Sequence, residues 1–346
     1  MKRKKVLLSL FVTLLLLSFI TSGCGDNQQA GTDADNPIVL KYAFFAPANT
    51  FPAQQMEKWK EEVENRTNNR VKVELFPGGT ILTDKNMYDG VKNGVVEMGL
   101  SSTTYEPGRF PLLGISDLPS GYPNATVASK VVYDLIQEYP PEAFQDFKII
   151  TAFATEPNYL MTNFPVSTLQ GLQGKRIRIS SSVTPVLTQL GASPISMSMA
   201  EVPQSLQTGI VEGIVTSREV LKDLKLVENL SYGVDYPLSI VTFVAVMNKN
   251  VWDSLPSDIQ QVIDELGQEM AIWTGEYKDS HVAESLDWSK NNHAFELIRL
   301  SQDEIEAWNQ VLQPLQDEYV ADLQSKGLPA EAYQERLYEL ISQYSQ

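Results

Sequence analysis

The sequence predicts an α/β protein built as two lobes, and three observations carry that expectation. Strand-like and helix-like stretches alternate in two separate series, residues 38–100 and 175–216. Alternation of that kind implies parallel strands covered by helices. An unbroken apolar run, Leu238 to Met247, is long enough to cross between two such units, and the amphipathic pattern after Ser257 is long enough to brace both. At 346 residues the chain can bury a core in each lobe.

The N-terminus reads as an export signal. Lys2, Arg3, Lys4 and Lys5 form a positive segment, and Val6 to Ile20 an apolar run of fifteen residues. Such a run is closer to a signal core than to a membrane span, which needs about 20 apolar residues. Small residues then precede a lone cysteine in Thr21-Ser22-Gly23-Cys24. The stretch resembles a bacterial lipoprotein signal, with Thr21 where leucine is commonest. It implies cleavage after residue 23 and a lipid on Cys24; the alternative is an ordinary signal peptide with an incidental cysteine. Residues 24–37 are polar and without periodicity, as expected of a flexible tether.

In the first series, Ile38 to Phe45 predicts a strand and Pro52 to Arg66 a helix with Met56, Trp59 and Val63 on one face. Val71 to Phe76 alternates with period two and stops at Pro77-Gly78-Gly79, a strand entering a turn. A short helix over 87–93 and a strand over 95–100 complete it. The second series has strands at 175–180, 194–197 and 211–216, with helices at 185–190 and 201–208. Sheets of this kind place ligands beyond the carboxyl ends of their strands.

Ser257 and Gln260 predict a capping box for the long helix, with Ile259, Val262, Ile263, Leu266, Met270 and Trp273 on its buried stripe. Ser301 and Glu304 cap another, which Pro314 is expected to kink or divide. A last amphipathic helix reaches Ile341. These readings place lobe I at 38–153 plus 243–285 and lobe II at 154–242 plus 286–346.

Composition closes several functional classes. The net charge is −16, and without the four N-terminal cations 23 basic residues face 43 acidic ones. So acidic a body does not suit nucleic acid. One cysteine excludes an internal disulfide and the Cys₄ and Cys₂His₂ zinc sites. The two histidines, His281 and His293, do not form a zincin pattern, and no G-x-S-x-G elbow occurs. Paired acids such as Glu61-Glu62 and Asp303-Glu304 read as solvated helix charge.

Leu172-Gln-Gly-Lys-Arg-Ile-Arg178, Leu190-Gly191-Ala192, Glu201-Val202 and Leu206-Gln-Thr-Gly-Ile-Val-Glu-Gly213 occur in order, preceded by Gly94-Val-Val-Glu97 and followed by Met247-Asn248, Trp252 and Leu255-Pro256. This series resembles the solute-binding proteins of tripartite ATP-independent periplasmic (TRAP) transporters, the family of C4-dicarboxylate- and sialate-binding subunits. The resemblance covers roughly residues 38–300. It implies a two-lobed periplasmic-binding-protein-like fold, with a ligand cleft at the hinge and a long helix bracing both lobes. It also implies that Arg178 grips the ligand's carboxylate, work suited to a planar guanidinium that stays charged when desolvated. Arg176, two residues before it, is expected at the surface.

Departures from the family pattern shape the rest of the expected site. Where many members carry a second arginine, this chain has Glu156-Pro157-Asn158-Tyr159. A dicarboxylate held by two arginines becomes doubtful and a monocarboxylate gains, with Asn158 as either an amide donor or a local cap. Thr216 and Ser217 stand where the family has an acid and an amide, as ligand contacts or helix caps. Phe45 and Tyr105 are expected as cleft walls, and alternation along the strand lets at most one of Phe44 and Phe45 face it. Arg109 is a possible second cation. Glu201 is read as orienting the arginine or closing the lobes.

The function implied is an extracytoplasmic receptor that hands a small organic acid to an integral-membrane TRAP permease. No cofactor, metal or nucleic-acid partner is expected. The alternatives are a surface-anchored hydrolase and a receptor for an ATP-driven importer.

Overall fold

The computed structural model describes residues 36–346, so the expected signal segment, Cys24 and nearly all of the tether lie outside the described residues. Lobe I opens with β1 (Ile38–Phe44), α1 (Phe51–Arg66), β2 (Val71–Phe76), α2 (Met87–Lys92), β3 (Met98–Ser102), α3 (Pro111–Asp117), α4 (Ala125–Glu138) and β4 (Phe147–Ala154). Lobe II follows with β5 (Tyr159–Thr162), β6 (Arg176–Ile179), α5 (Thr184–Gln189), β7 (Ser193–Ser196), α6 (Val202–Gln207), β8 (Gly213–Thr216), α7 (Val220–Asp223) and β9 (Tyr232–Val234). The chain returns to lobe I in β10 (Thr242–Asn248) and α8 (Lys249–Ser254), then spans both lobes in α9 (Ser257–His293). It ends with β11 (Glu296–Ile298), α10 (Gln302–Ser325) and α11 (Ala330–Tyr344).

Each lobe is organised on one sheet, ordered β2–β1–β3–β10–β4 in lobe I and β11–β9–β5–β8–β6–β7 in lobe II. Both sheets are mixed, where alternation alone suggested parallel ones. β10 runs antiparallel to β3 and β4, and β5 antiparallel to β8 and β9. The reason is topological: β5 and β10 each enter their sheet from the other lobe rather than through a helical crossover.

The segments joining the lobes are tied to each other. The Thr155 and Asn158 backbone N–H groups donate to Val241 O and Ser239 O at 3.1 and 2.6 Å, and Leu238 N–H donates to Asn158 O at 2.9 Å. From α3, Asp117 Oδ1 accepts the Thr242 N–H at 3.2 Å and its hydroxyl at 2.6 Å. The carboxyl is buried in this hinge, and burial pushes its pKa up from 3.8 to about 7 against the bonds from Thr242.

The C-terminal part departs from the expected division. On α10, Trp308, Leu312 and Leu315 enter the lobe II core, whereas Val320 and Leu323 enter that of lobe I. The helix continues through Pro314 undivided, bridging both cores. α11 then packs on lobe I, where Tyr333, Leu337 and Leu340 are buried, although residues 286–346 were expected in lobe II. The capping box before α9 is absent too: Pro256 is the cap, and Gln260 Nε2 donates back to Trp252 O at 2.8 Å.

Candidate functional site

A cavity lies between the lobes at the ends of several strands. Lobe I gives it an aromatic wall of Phe44, Phe45, Phe51, Tyr105 and Phe243. Lobe II contributes Arg178, Met199, Thr216, Glu219 and Asp223. The cavity holds about 50 Å³, against the several hundred of ordinary small-molecule sites, so little free space separates the lobes here. Contacts among the described residues span the gap: Met199 N–H donates to the Tyr105 hydroxyl at 3.3 Å, and Asn49 Nδ2 to Asp223 O at 2.5 Å.

Arg178 projects from β6 with 1% of its surface exposed. Its Nε and Nη2 donate to Met197 O at 3.0 and 2.7 Å. It forms no ion pair with a carboxylate among the described residues. Burial pushes its pKa down, opposed by the neighbouring Tyr105 hydroxyl and by Glu201; an arginine still keeps its proton. A buried guanidinium without a counter-ion is costly unless an anion joins it.

The turn holding Arg178 is itself braced. Ser198 caps the turn at 199–201, its hydroxyl accepting from Ala200 N–H, while Glu201 accepts the Ser198 N–H at 3.0 Å. This box orders the Met197 carbonyl that receives Arg178 and the Met199 amide that meets Tyr105. Glu201 thus braces the turn that carries the Met197 carbonyl.

On the acidic side, Glu219 pairs with Lys278, which is fully buried on α9 and lies 3.8 Å from the centre of the Phe51 ring. The Ser217 hydroxyl donates to the same carboxylate. Asp223 Oδ1 meets His281 Nε2 at 2.8 Å, and the imidazole stacks on Tyr277.

Of the expected residues, the structure brings Arg178, Phe45, Tyr105 and Thr216 to the cavity. Phe45 and Tyr105 meet edge to face with centroids 5.3 Å apart. Phe44 joins them, against expectation, because β1 ends at Phe44 and the strand alternation no longer governs Phe45. Asn158, Ser217 and Glu201 are not in the cavity wall. The Asn158 amide is spent on Ser239 Oγ at 3.1 Å and on Thr155 Oγ1 at 3.2 Å, within the hinge. Arg109 pairs with Glu106 and Asp89 away from the cavity, and Arg176 is exposed beside Glu212.

Sequence reading missed Phe51, Glu219, Asp223 and Phe243. Phe51 stands just before the expected helix start at Pro52 and Phe243 was hidden in an apolar run, while Asp223 ends a four-residue helix that Glu219 precedes. It also missed Arg218, which occupies Glu156 with Nε–Oε1 at 3.1 Å and Nη2–Oε2 at 2.7 Å.

Residues 42–322 match the model of the bacterial extracellular solute-binding protein family 7. The chain belongs to this family. Among solved structures, this family 7 receptor is similar to a TRAP periplasmic solute-binding protein from Desulfovibrio salexigens. The two are 41% identical with a TM-score of 0.80, covering 89% of this chain and 96% of the other. That protein was captured open, with the C-terminus of a symmetry mate in its ligand-binding site. A marine metagenome TRAP protein specific for aromatic acids, in complex with metahydroxyphenylacetate, is 25% identical, with a TM-score of 0.85 over 89% of this chain and all of the other. The C4-dicarboxylate-binding periplasmic protein DctP of Rhodobacter capsulatus is 25% identical over 85% of this chain and 90% of its own. The receptor is therefore an extracytoplasmic solute-binding component of a TRAP-type transport system.

Proposed function

We propose that this receptor captures a monocarboxylate with an apolar, ring-bearing body, encloses it by hinge closure and releases it to a TRAP permease. The observation that carries the reading is Arg178, a buried cation without a carboxylate partner among the described residues, beside a wall that holds five aromatic rings. A carboxylate would take the guanidinium's free edge in charge-assisted hydrogen bonds, while the rings would cover the apolar body. Thr216 is well placed to add a hydroxyl contact. The aromatic-acid specificity of the metagenome relative supports this class. So does the chain terminus in the Desulfovibrio site, since a C-terminus carries a carboxylate.

A C4 dicarboxylate fits less well. It calls for a second free cation, yet Lys278 is engaged by Glu219 and Arg218 by Glu156. Closure would draw on the contacts between the lobes, those of Tyr105 with Met199 and Asn49 with Asp223, together with ligand bonds reaching both lobes. Outside the described residues, the charged, apolar and small-residue series ending at Cys24 supports a diacylated cysteine holding the receptor at the outer membrane face. Radiolabelled palmitate incorporated into the whole protein, and lost in Cys24→Ser, is the expected result; equal labelling of both would remove the anchor.

The ligand reading is tested by thermal shift against benzoate, phenylacetate, mandelate, malate and 2-oxo acids, in parallel on Arg178→Ala. Ring-bearing monocarboxylates at ~100 times their dissociation constant should stabilise the receptor by about 2.7 kcal/mol, and the variant should show no shift. A malate response larger than the benzoate response would overturn the proposed class.

A further inference from the structure

We propose that Asp223 reads a hydrogen-bond donor, a hydroxyl or an ammonium, carried by the same ligand whose carboxylate meets Arg178. This inference rests on the ligand reading above and adds a second recognition point to it. Two acidic residues, Glu219 and Asp223, line the cavity. The carboxylate of Glu219 is already engaged by Lys278 and the Ser217 hydroxyl. That of Asp223 is only half used: Oδ1 meets His281 Nε2 at 2.8 Å, whereas Oδ2 is buried with no hydrogen-bond partner among the described residues.

The group is also held in place. Tyr277 and His281 stack with centroids 5.5 Å apart, which fixes the imidazole that grips Oδ1. Asn49 donates to the Asp223 main-chain carbonyl from the other lobe, so the residue is locked as the lobes meet. A carboxylate oxygen withdrawn from water without a donor is costly, and a positioned ligand O–H or N–H removes that cost. A methyl ether at the same ring position cannot, because it has no proton to give. The cavity would then distinguish a substituted acid from its bare parent, as sites built around a polar group do.

The experiment is titration calorimetry on the full receptor with benzoate, 3- and 4-hydroxybenzoate, 3- and 4-methoxybenzoate and 3-(aminomethyl)benzoate. At least one donor-bearing probe should bind tenfold or more tightly than benzoate, with its methoxy counterpart showing no gain. The hydroxyl and aminomethyl arms tell a neutral donor from a cationic one. In Asp223→Ala, with folding checked by its melting curve, the preference for that donor over benzoate should fall to about one. If that variant does not fold, the hydroxy-to-methoxy ratio on the unaltered receptor decides. Equal binding of benzoate, hydroxy, methoxy and aminomethyl probes would overturn the role of Asp223 while leaving the carboxylate reading intact. Failure of every probe to bind would overturn both.

Discussion

Arg178 and Arg218 belong to neighbouring strands of the lobe II sheet, one on β6 and the other just beyond β8, and both are largely buried. Their surroundings are opposite. Arg218 meets Glu156 through two guanidinium nitrogens and lies 3.7 Å from the centre of the Tyr159 ring, a closed arrangement with its charge neutralised. Arg178 has a carbonyl, a neighbouring hydroxyl and an open cavity. Residue type therefore does not make a clamp; a missing counter-ion beside a cavity does. An ion pair completed inside the fold is a structural joint, whereas one left incomplete leaves room for a solute.

The largest expected effect extends this comparison to a carboxyl. Asp117 lies in the hinge without a cation among the described residues, and its pKa is pushed up from 3.8 to about 7. The native state keeps this proton over a range where the unfolded chain has lost it. Its contribution to stability is therefore full below pH 3.8 and disappears as pH rises to about 7. At ~1.4 kcal/mol per pH unit, that is about 4 kcal/mol at most. Between pH 4 and 8 the urea-measured stability of Asp117→Asn should improve relative to the unaltered receptor by up to this amount. A constant difference would show that the hinge carboxyl is paired after all.

Breaking the closed arginine comes next. Glu156→Ala leaves Arg218 buried and uncompensated and should cost about 3 kcal/mol in urea unfolding; a loss below ~1 kcal/mol would mean water replaces the acid. Arg178→Met should behave differently, changing the stability of the free receptor by under about 1 kcal/mol or raising it, because the unliganded guanidinium carries its desolvation cost alone. A destabilisation matching that of Glu156→Ala would assign Arg178 to structure. Smallest is Tyr105→Phe, which keeps the aromatic wall but removes the hydroxyl meeting Met199 across the lobes. Benzoate affinity in a calorimeter should fall by about 1 kcal/mol, roughly fivefold, and an unchanged affinity would remove that contact from closure.

Much of this was legible where local pattern and burial agree. The periodicity of α1 and α9, the alternation of β2 and the strand carrying Arg178 all follow from apolar spacing. No helix or strand was expected between residues 111 and 171, although α3, α4, β4 and β5 lie there. In α4, buried Ala128 and Ser129 lie between larger apolar residues and blur the helical stripe. In β4, both faces are covered, so polar alternation has nothing to mark. The site was legible only as far as single residues could announce it. Arg178 stood out by its type and strand position, but Asn158 and Ser217 lost their expected place because their polar groups are satisfied by Ser239 and Glu219, far off in sequence or two residues on. Asp223 shows the converse: its interest comes from an oxygen left without a partner, which no sequence pattern reveals.

The most direct test of the central claim compares benzoate with benzamide by titration calorimetry on the full receptor. The two share a ring and a planar head, and differ in the negative charge that Arg178 would pair with. Benzoate should bind at least tenfold more tightly, a difference of about 1.4 kcal/mol or more. Equal affinities would show that the cavity selects shape alone, and that the unpaired arginine is not the reader of its solute.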